Sequence, residues 1–196
     1  AILREVAVDL VPATGLELGT GEVGEVWLRA PNVTPGYFNH PQETAAVLTP
    51  DGWLRTGDVG SIDDGFLMIT DRKKDIIVTA GGKNVSPQNL ENLLKAIPWV
   101  SQALVVGDRR PYLVALLTLD PDEVSKLDGR QAAETLVAEA VEGVNADLAS
   151  FEQIRRFEIL PRDFSPEEDE ITPTLKLKRR VVEENFATEL EKLYVD

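Results

Sequence analysis

Three stretches of the chain hold residues whose types and spacing could do chemistry. In Gly52-Trp53-Leu54-Arg55-Thr56-Gly57-Asp58 a turn-rich segment ends in a carboxylate that the preceding glycine leaves accessible. Such a carboxylate can accept hydrogen bonds from both hydroxyls of a ribose, although an aspartate in this setting is ordinarily a turn residue. In Asp71-Arg72-Lys73-Lys74-Asp75 a charged run precedes the small, flexible Thr79-Ala80-Gly81-Gly82-Lys83-Asn84. That order suits an interdomain hinge, because hinge positions absorb backbone rotation while their side chains stay solvated; alone, the run reads as a linker. In Thr172-Pro173-Thr174-Leu175-Lys176-Leu177-Lys178-Arg179-Arg180 proline and threonine hold a loop from which a lysine points. By spacing alone Lys176 is a surface or helix-start lysine. With Arg109 and Arg110 these cations form three clusters on a chain of net charge -14, and each cluster is a candidate anion site or a solvated face.

The composition excludes several other chemistries. There is no cysteine, hence no disulfide framework, thiolate zinc site or cysteine nucleophile, and His40 alone cannot build a histidine metal cluster. With 34 acidic against 20 basic residues, nonspecific binding to nucleic acid is disfavoured. No run approaches the roughly 18 to 20 consecutive apolar residues of a membrane span, and the N-terminus lacks the pattern of a signal peptide. These features point to a cytoplasmic protein. The chain opens on Ala1 and runs almost at once into a strand-like pattern, which reads as a fragment or a processed chain.

The elements that must position these residues fall into two groups. The alternation over Glu22 to Ala30 predicts a half-buried strand closed by Pro31, and Gly65 to Thr70 a second, with one more at Val6 to Leu10. A short helix is expected at Gln42 to Leu48, and the many prolines and glycines between make this a small β-rich subdomain. Beyond it, Ser86 can cap a helix that has Pro87 in its first turn and runs to about Ile97, with Leu90, Leu93, Leu94 and Ile97 on one apolar face. Ala103 to Val106 and Leu113 to Leu119 read as a hairpin around Gly107 to Pro111. Residues 130 to 149 are helical, Ile154 to Leu160 a strand, Pro161 to Pro173 an acidic loop, and Val181 to Leu193 a closing helix. The expected class is α+β, with the β-rich subdomain at 1–72, a hinge at 73–75 and a mobile domain at 76–196 whose short sheet is packed by helices.

Taken in order, the three stretches resemble the C-terminal third of the adenylate-forming superfamily, which contains acyl-CoA synthetases, luciferases and peptide synthetase adenylation domains. The likeness runs from Gly21-Glu22-Val23-Gly24-Glu25-Val26 through Arg179-Arg180. The spellings DRKKDIIVTAGGKNVSPQNLE from Asp71 to Glu91 and TPTLKLKRR from Thr172 to Arg180 are similar to long-chain fatty acid CoA ligases. The resemblance implies that Asp58, in a Thr-Gly-Asp signature, binds the ribose hydroxyls of ATP and of the acyl-adenylate, with Arg72 and Ile69 at the same nucleotide. It implies a hinge at Lys74 and a pantetheine channel of CoA lined at Gly82, with Gly81 as the alternative register and Lys83 beside it. Lys176 would meet the ATP phosphate and the acyl carboxylate during adenylation. Two features depart from the pattern: Leu175 stands where many relatives have glycine, which stiffens the loop, and the Gly81-Gly82 region carries one extra residue.

The function so implied is the joining of a fatty acid to CoA with cleavage of ATP to AMP and diphosphate through an acyl-adenylate. The superfamily's phosphate loop and acyl tunnel are not in this sequence. The chain alone is therefore expected to be inactive, with a missing N-terminal domain as its partner and magnesium ligands outside it. Peripheral membrane association of the full-length parent stays open. Two competing readings remain: an acyl-AMP ligase that loads a carrier protein, and a noncatalytic module whose basic clusters dock an acidic partner.

Overall fold

The computed structural model describes residues 5–9, 22–174 and 176–195, and contacts divide the chain into two units, Ala1–Ile76 and Ile77–Asp196. The first is built on an antiparallel sheet of β1 (Glu5–Asp9), β2 (Gly24–Arg29), β3 (Leu54–Asp63) and β4 (Phe66–Arg72), paired in that order. A short helix α1 (Pro41–Val47) lies between β2 and β3. β3 corrects the expectation that Gly52 to Asp58 is a turn: only Gly52, at φ 90°, turns the chain, and Asp58 is a strand residue. Its glycines hid the strand pattern. Gly57 takes φ 72°, and Gly60 sits at a register shift where a Cβ would come within 2.3 Å of the Met68 carbonyl oxygen. The β3–β4 turn is Asp64-Gly65 with both φ positive, at 47° and 80°, as a tight hairpin turn requires, so Gly65 precedes the strand instead of starting it. At its far end β4 takes in Asp71 and Arg72. Asp71 is buried and Lys73 is paired with Glu25, so the Asp71 to Asp75 run is not the uniformly solvated linker its composition suggests. It leads into one turn of 3₁₀-helix, Lys73–Asp75.

In the second unit, β5 (Ile77–Val78) and β6 (Asn84–Val85) form a small ribbon before α2 (Pro87–Lys95). Ser86 caps α2, its hydroxyl accepting from the Asn89 amide at 3.4 Å. A three-stranded sheet follows: β7 (Val100–Val106) antiparallel to the central β8 (Leu113–Leu119), and β9 (Ile154–Ile159) parallel to it. The crossover between β8 and β9 carries α3 (Pro121–Val124) and α4 (Arg130–Ala146). β8 reads as an unbroken apolar run because both its faces are covered. Leu113, Ala115 and Leu117 face a core with α2 and α4, while Val114 and Leu116 face one with Phe164, Val182, Phe186 and Leu190. The architecture is mixed α+β, as expected.

Two expectations for this unit are corrected. Leu93 is 44% exposed, and the buried face of α2 is Pro87, Leu90, Glu91 and Leu94, continued by Ile97. At about 100° per residue, Leu93 lies beyond the edge of that arc and Glu91 falls inside it. The closing helix is two, α5 (Arg179–Asn185) and α6 (Ala187–Lys192), broken at Phe186 with φ -110° and ψ 27°. Phe186 is buried there, its ring edge-on to Phe164 at 6.1 Å, so packing of one aromatic residue overrides helix continuity.

Candidate functional site

The residues singled out in the sequence lie on three short elements. The first is the β3–β4 pair, whose register sets Asp58 opposite Arg72. The Arg72 Nε lies 2.7 Å from Asp58 Oδ1, and Asp58 remains about a third exposed. Its backbone is held as well: the Asp58 amide donates to Thr56 Oγ1 at 3.0 Å, and that hydroxyl donates to the Val26 carbonyl at 2.6 Å. A carboxylate pinned by one guanidinium keeps its remaining lone pairs for donors arriving from solvent. Beside it opens a cleft of about 500 Å³ whose lining includes Glu25, Trp27, Arg55, Arg72, Lys73 and Lys74. Of the four cations here, Arg72 is paired with Asp58 and Lys73 with Glu25, which leaves Arg55 and Lys74 as the surplus positive charge of the cleft, and that surplus suits an anionic ligand. Burial pushes the Glu25 carboxyl up, but the hydrogen bond and charge of Lys73 at 2.8 Å, with the Trp27 side chain and the Gly57 backbone, together outweigh it and hold it below the ordinary glutamate value. Ile69 stands on β4 opposite Gly60 with its side chain exposed. The structure thus brings Asp58, Arg72 and Lys74 to one region of the first unit, and Lys74 is an exposed residue of the 3₁₀ turn.

The second element is the turn joining β5 and β6. The Thr79 amide donates to the Lys83 carbonyl at 3.0 Å, the Gly82 amide to the Thr79 carbonyl at 2.8 Å, and the Lys83 amide to Thr79 Oγ1 at 3.2 Å. Gly82 takes φ 72°, which a side chain would strain. A Cβ at Gly82 would meet nothing within 4 Å and one at Gly81 only Thr79 Oγ1 at 3.8 Å, so both glycines border open space. The β7–β8 loop ties down this turn, the Ala80 amide donating to the Arg110 carbonyl at 2.9 Å and the Arg109 amide to the Val78 carbonyl at 2.8 Å. Lys83 extends its ammonium over the Phe151 ring at 5.7 Å.

The third element carries Lys176. The chain from Glu170 to Lys178 doubles back on itself: the Lys178 amide donates to the Glu170 carbonyl at 2.7 Å, Ile171 bridges Leu177, and the Thr172 amide donates to the Lys176 carbonyl at 2.8 Å. The run of cations here is largely neutralised. Lys178 pairs with Asp169, Arg179 with Glu91 and Arg180 with Glu184. Lys176 is exposed, and among the described residues its ammonium meets no carboxylate.

Two buried carboxylates frame this hairpin, and sequence reading passed over both. Glu170, fully buried, accepts both ends of the Arg162 guanidinium at 2.6 and 2.8 Å, the Ser165 amide at 3.0 Å and the Asn185 side-chain amide at 3.1 Å. Burial raises its pKa, yet those donors, Arg162 foremost, bring it below the ordinary value. Glu91 accepts from the Arg179 guanidinium at 2.5 Å and from the Val105 amide at 2.9 Å, and burial pushes its carboxyl up against the pull of Arg179. For Glu91 a signal did exist: its place inside the apolar arc of α2. Glu170 sits in an acidic loop with nothing in its surroundings to mark it.

Among the described residues no cluster of three or more His, Asp or Glu side chains could hold the magnesium that ATP chemistry would bring.

Residues 74–196 match the family described as AMP-binding enzyme C-terminal domain. The chain is 45% identical to the long-chain-fatty-acid–CoA ligase FadD15 of Mycobacterium tuberculosis over 93% of its own length and 33% of that protein. To the human long-chain-fatty-acid–CoA ligase ACSBG1 it is 36% identical, covering 94% of this chain and 30% of the relative. Among solved structures, the adenylation domain of a carboxylate reductase from Mycobacterium chelonae superposes with a TM-score of 0.82 at 30% identity, over 98% of this chain and 31% of that one. The adenylation and carrier didomain of a carboxylic acid reductase from Segniliparus rugosus, in complex with AMP, gives 0.80 at 27% identity, over 97% and 28%. The chain spans about a third of the length of the curated relatives it matches.

Proposed function

The chain belongs to the AMP-binding enzyme C-terminal domain family, and from that premise we propose that it is the C-terminal part of an ATP-dependent long-chain fatty acid CoA ligase. The reaction has two halves. The fatty acid carboxylate attacks the α-phosphorus of ATP, an O–P bond forms and diphosphate leaves; the CoA thiol then attacks the acyl carbonyl and AMP leaves. The observation that carries the reading at the level of chemistry is Lys176, exposed and unneutralised beside three cations that already have carboxylates. When two anions approach and charge grows on the transferring phosphoryl, a positioned ammonium stabilises the transition state more than the ground state.

In this proposal Asp58 accepts the ribose hydroxyls, with Arg72 orienting its carboxylate and Ile69 beside the nucleotide. Lys74 is the hinge between a β-rich part ending near residue 72 and the domain from 76 onward. Gly82 or Gly81, with Lys83, borders the CoA channel; a glycine at positive φ facing open space keeps that border free of side chain. CoA, ATP and the fatty acid are substrates, and the remaining two thirds of the ligase supply the acyl site. Cytoplasmic residence, with or without peripheral attachment to a membrane, completes the proposal; no helix among the described residues is long and apolar enough to cross one.

Product analysis tests it. A full-length ligase carrying this chain as its C-terminal third should release diphosphate with fatty acid and ATP, and form acyl-CoA when CoA is added, while the 196-residue chain alone does neither. Transfer only to a carrier protein, with CoA inert, would replace the acceptor. Absence of fatty-acid-dependent diphosphate release would overturn the reading.

A further inference from the structure

The reading of Lys176 as the adenylation lysine leaves open what holds its loop in shape, and the geometry answers with a single side chain. Lys176 is reached from Thr172 by two hydrogen bonds that close a five-residue loop: the Thr172 amide donates to the Lys176 carbonyl at 2.8 Å, and Thr172 Oγ1 accepts from the Lys176 amide at 3.0 Å. The same hydroxyl lies 3.0 Å from Thr174 Oγ1, so it also braces the far side of the loop. Both peptide groups of Lys176 that could swing the ammonium are thus tied to one residue.

The footing of this loop is rigid. Glu170, two residues before Thr172, has its carboxylate saturated by Arg162, Ser165 and Asn185. Arg179, three residues after Lys176, spans to Glu91 and to the Val105 carbonyl, both at 2.5 Å. On this base the loop is closed by one backbone hydrogen bond and one side-chain hydroxyl, both from Thr172, so Thr172 holds the peptide from which the Lys176 side chain extends. We propose that Thr172 is a positioning residue for Lys176: it does not touch substrate, and its hydroxyl fixes the peptide from which the ammonium extends. The proposal rests on the adenylation role of Lys176 given above.

Preorganisation of this kind is read in rate. Displacing a catalytic group by about 1 Å can cost about 10²-fold; since the Thr172 amide bond survives loss of the hydroxyl, Thr172→Val should cost less, about tenfold. Position 172 is half-exposed and outside the buried core, so valine there should leave the fold intact, which a thermal melt of the variant checks.

The test uses the full-length ligase carrying this chain and measures the two half-reactions separately: diphosphate release from ATP and fatty acid, and acyl-CoA formation from premade acyl-adenylate. Thr172→Val should slow the first about tenfold through kcat, leave the second within about twofold, and be rescued by Thr172→Ser, which keeps the hydroxyl. Parallel loss of both halves makes Thr172 merely structural and overturns the proposal, as does failure of serine to rescue. Lys176→Ala, run alongside, separates the two levels. If it disables adenylation while Thr172→Val leaves it intact, this inference alone falls; if Lys176→Ala itself leaves adenylation intact, the role of Lys176 falls and this inference with it.

Discussion

Arg179→Met offers the sharpest test of what holds the Lys176 hairpin to the rest of its unit. β7 is an edge strand, and at Val105 its outward amide and carbonyl meet no neighbouring strand; Glu91 accepts from the amide at 2.9 Å and Arg179 donates to the carbonyl at 2.5 Å. The ion pair therefore completes the edge as a strand would. Methionine fills similar volume but leaves the buried Glu91 carboxylate with the Val105 amide as its remaining hydrogen-bond donor. Breaking one partner of a buried pair costs about 3–5 kcal/mol. Because Arg179 is 20% exposed, water can enter the vacated site, and the lower end, about 3 kcal/mol, applies. With a urea dependence of about 2 kcal/mol per molar, the unfolding midpoint followed by circular dichroism should drop by about 1.5 M.

The same variant has a pH signature. Without the guanidinium, burial is the dominant influence on Glu91 and raises its folded pKa further above the ordinary 4.5. A group whose folded pKa exceeds its unfolded one contributes stability that is present below the unfolded pKa and is lost as pH rises through the folded pKa. The deficit of Arg179→Met relative to wild type should accordingly shrink as pH falls from 7 towards 4.5. Glu91→Leu with Arg179→Met removes both charges and should be no worse than Arg179→Met alone, since the residual cost is that of the two unpaired Val105 groups. A deficit under about 0.5 kcal/mol, or one that grows on acidification, would refute this account of the pair.

Other perturbations separate features that the sequence alone blurs. Leu94→Ala, fully buried against the sheet, should cost about 2–5 kcal/mol, while Leu93→Ala, one residue away and exposed, should stay within about 0.5 kcal/mol; equal losses by urea unfolding would mean the face of α2 has been assigned wrongly. Gly60→Ala should destabilise the first unit by about 1–3 kcal/mol, because a methyl would lie 2.3 Å from the Met68 carbonyl oxygen and the β3–β4 shift would have to move; a neutral effect on the melting temperature would show that the strands can part there freely.

Much of the fold was legible because local chemistry and tertiary structure agree. Ser86-Pro87 announces a helix start that the structure places at the same residues, and the apolar runs of β7 and β8 on either side of Gly107 to Pro111 form the expected antiparallel pair. β3 was not legible, since Gly57 and Gly60 interrupt its pattern at the places where the backbone must bend or approach closely. The closing helix was overread because nothing in the periodicity of residues 181–193 tells that Phe186 will turn in to meet Phe164. The site was less legible than the fold. That Asp58 and Arg72 serve one nucleotide was implied by the family likeness alone, since the strand carrying Asp58 did not show in the pattern, and the buried carboxylates of Glu91 and Glu170 depend on partners, Arg179 and Arg162, that only the folded chain brings near. Lys176 itself gained meaning from its likeness to a family, and only then from being the exposed cation left over in a neutralised run.

The central claim is that Lys176 serves the first half-reaction and no other. In the full-length ligase, Lys176→Ala should lower the rate of diphosphate release from ATP and fatty acid by about 10²- to 10³-fold, while acyl-CoA formation from supplied acyl-adenylate and CoA proceeds at the wild-type rate. Equal loss of both rates, or an unchanged rate of diphosphate release, would contradict it.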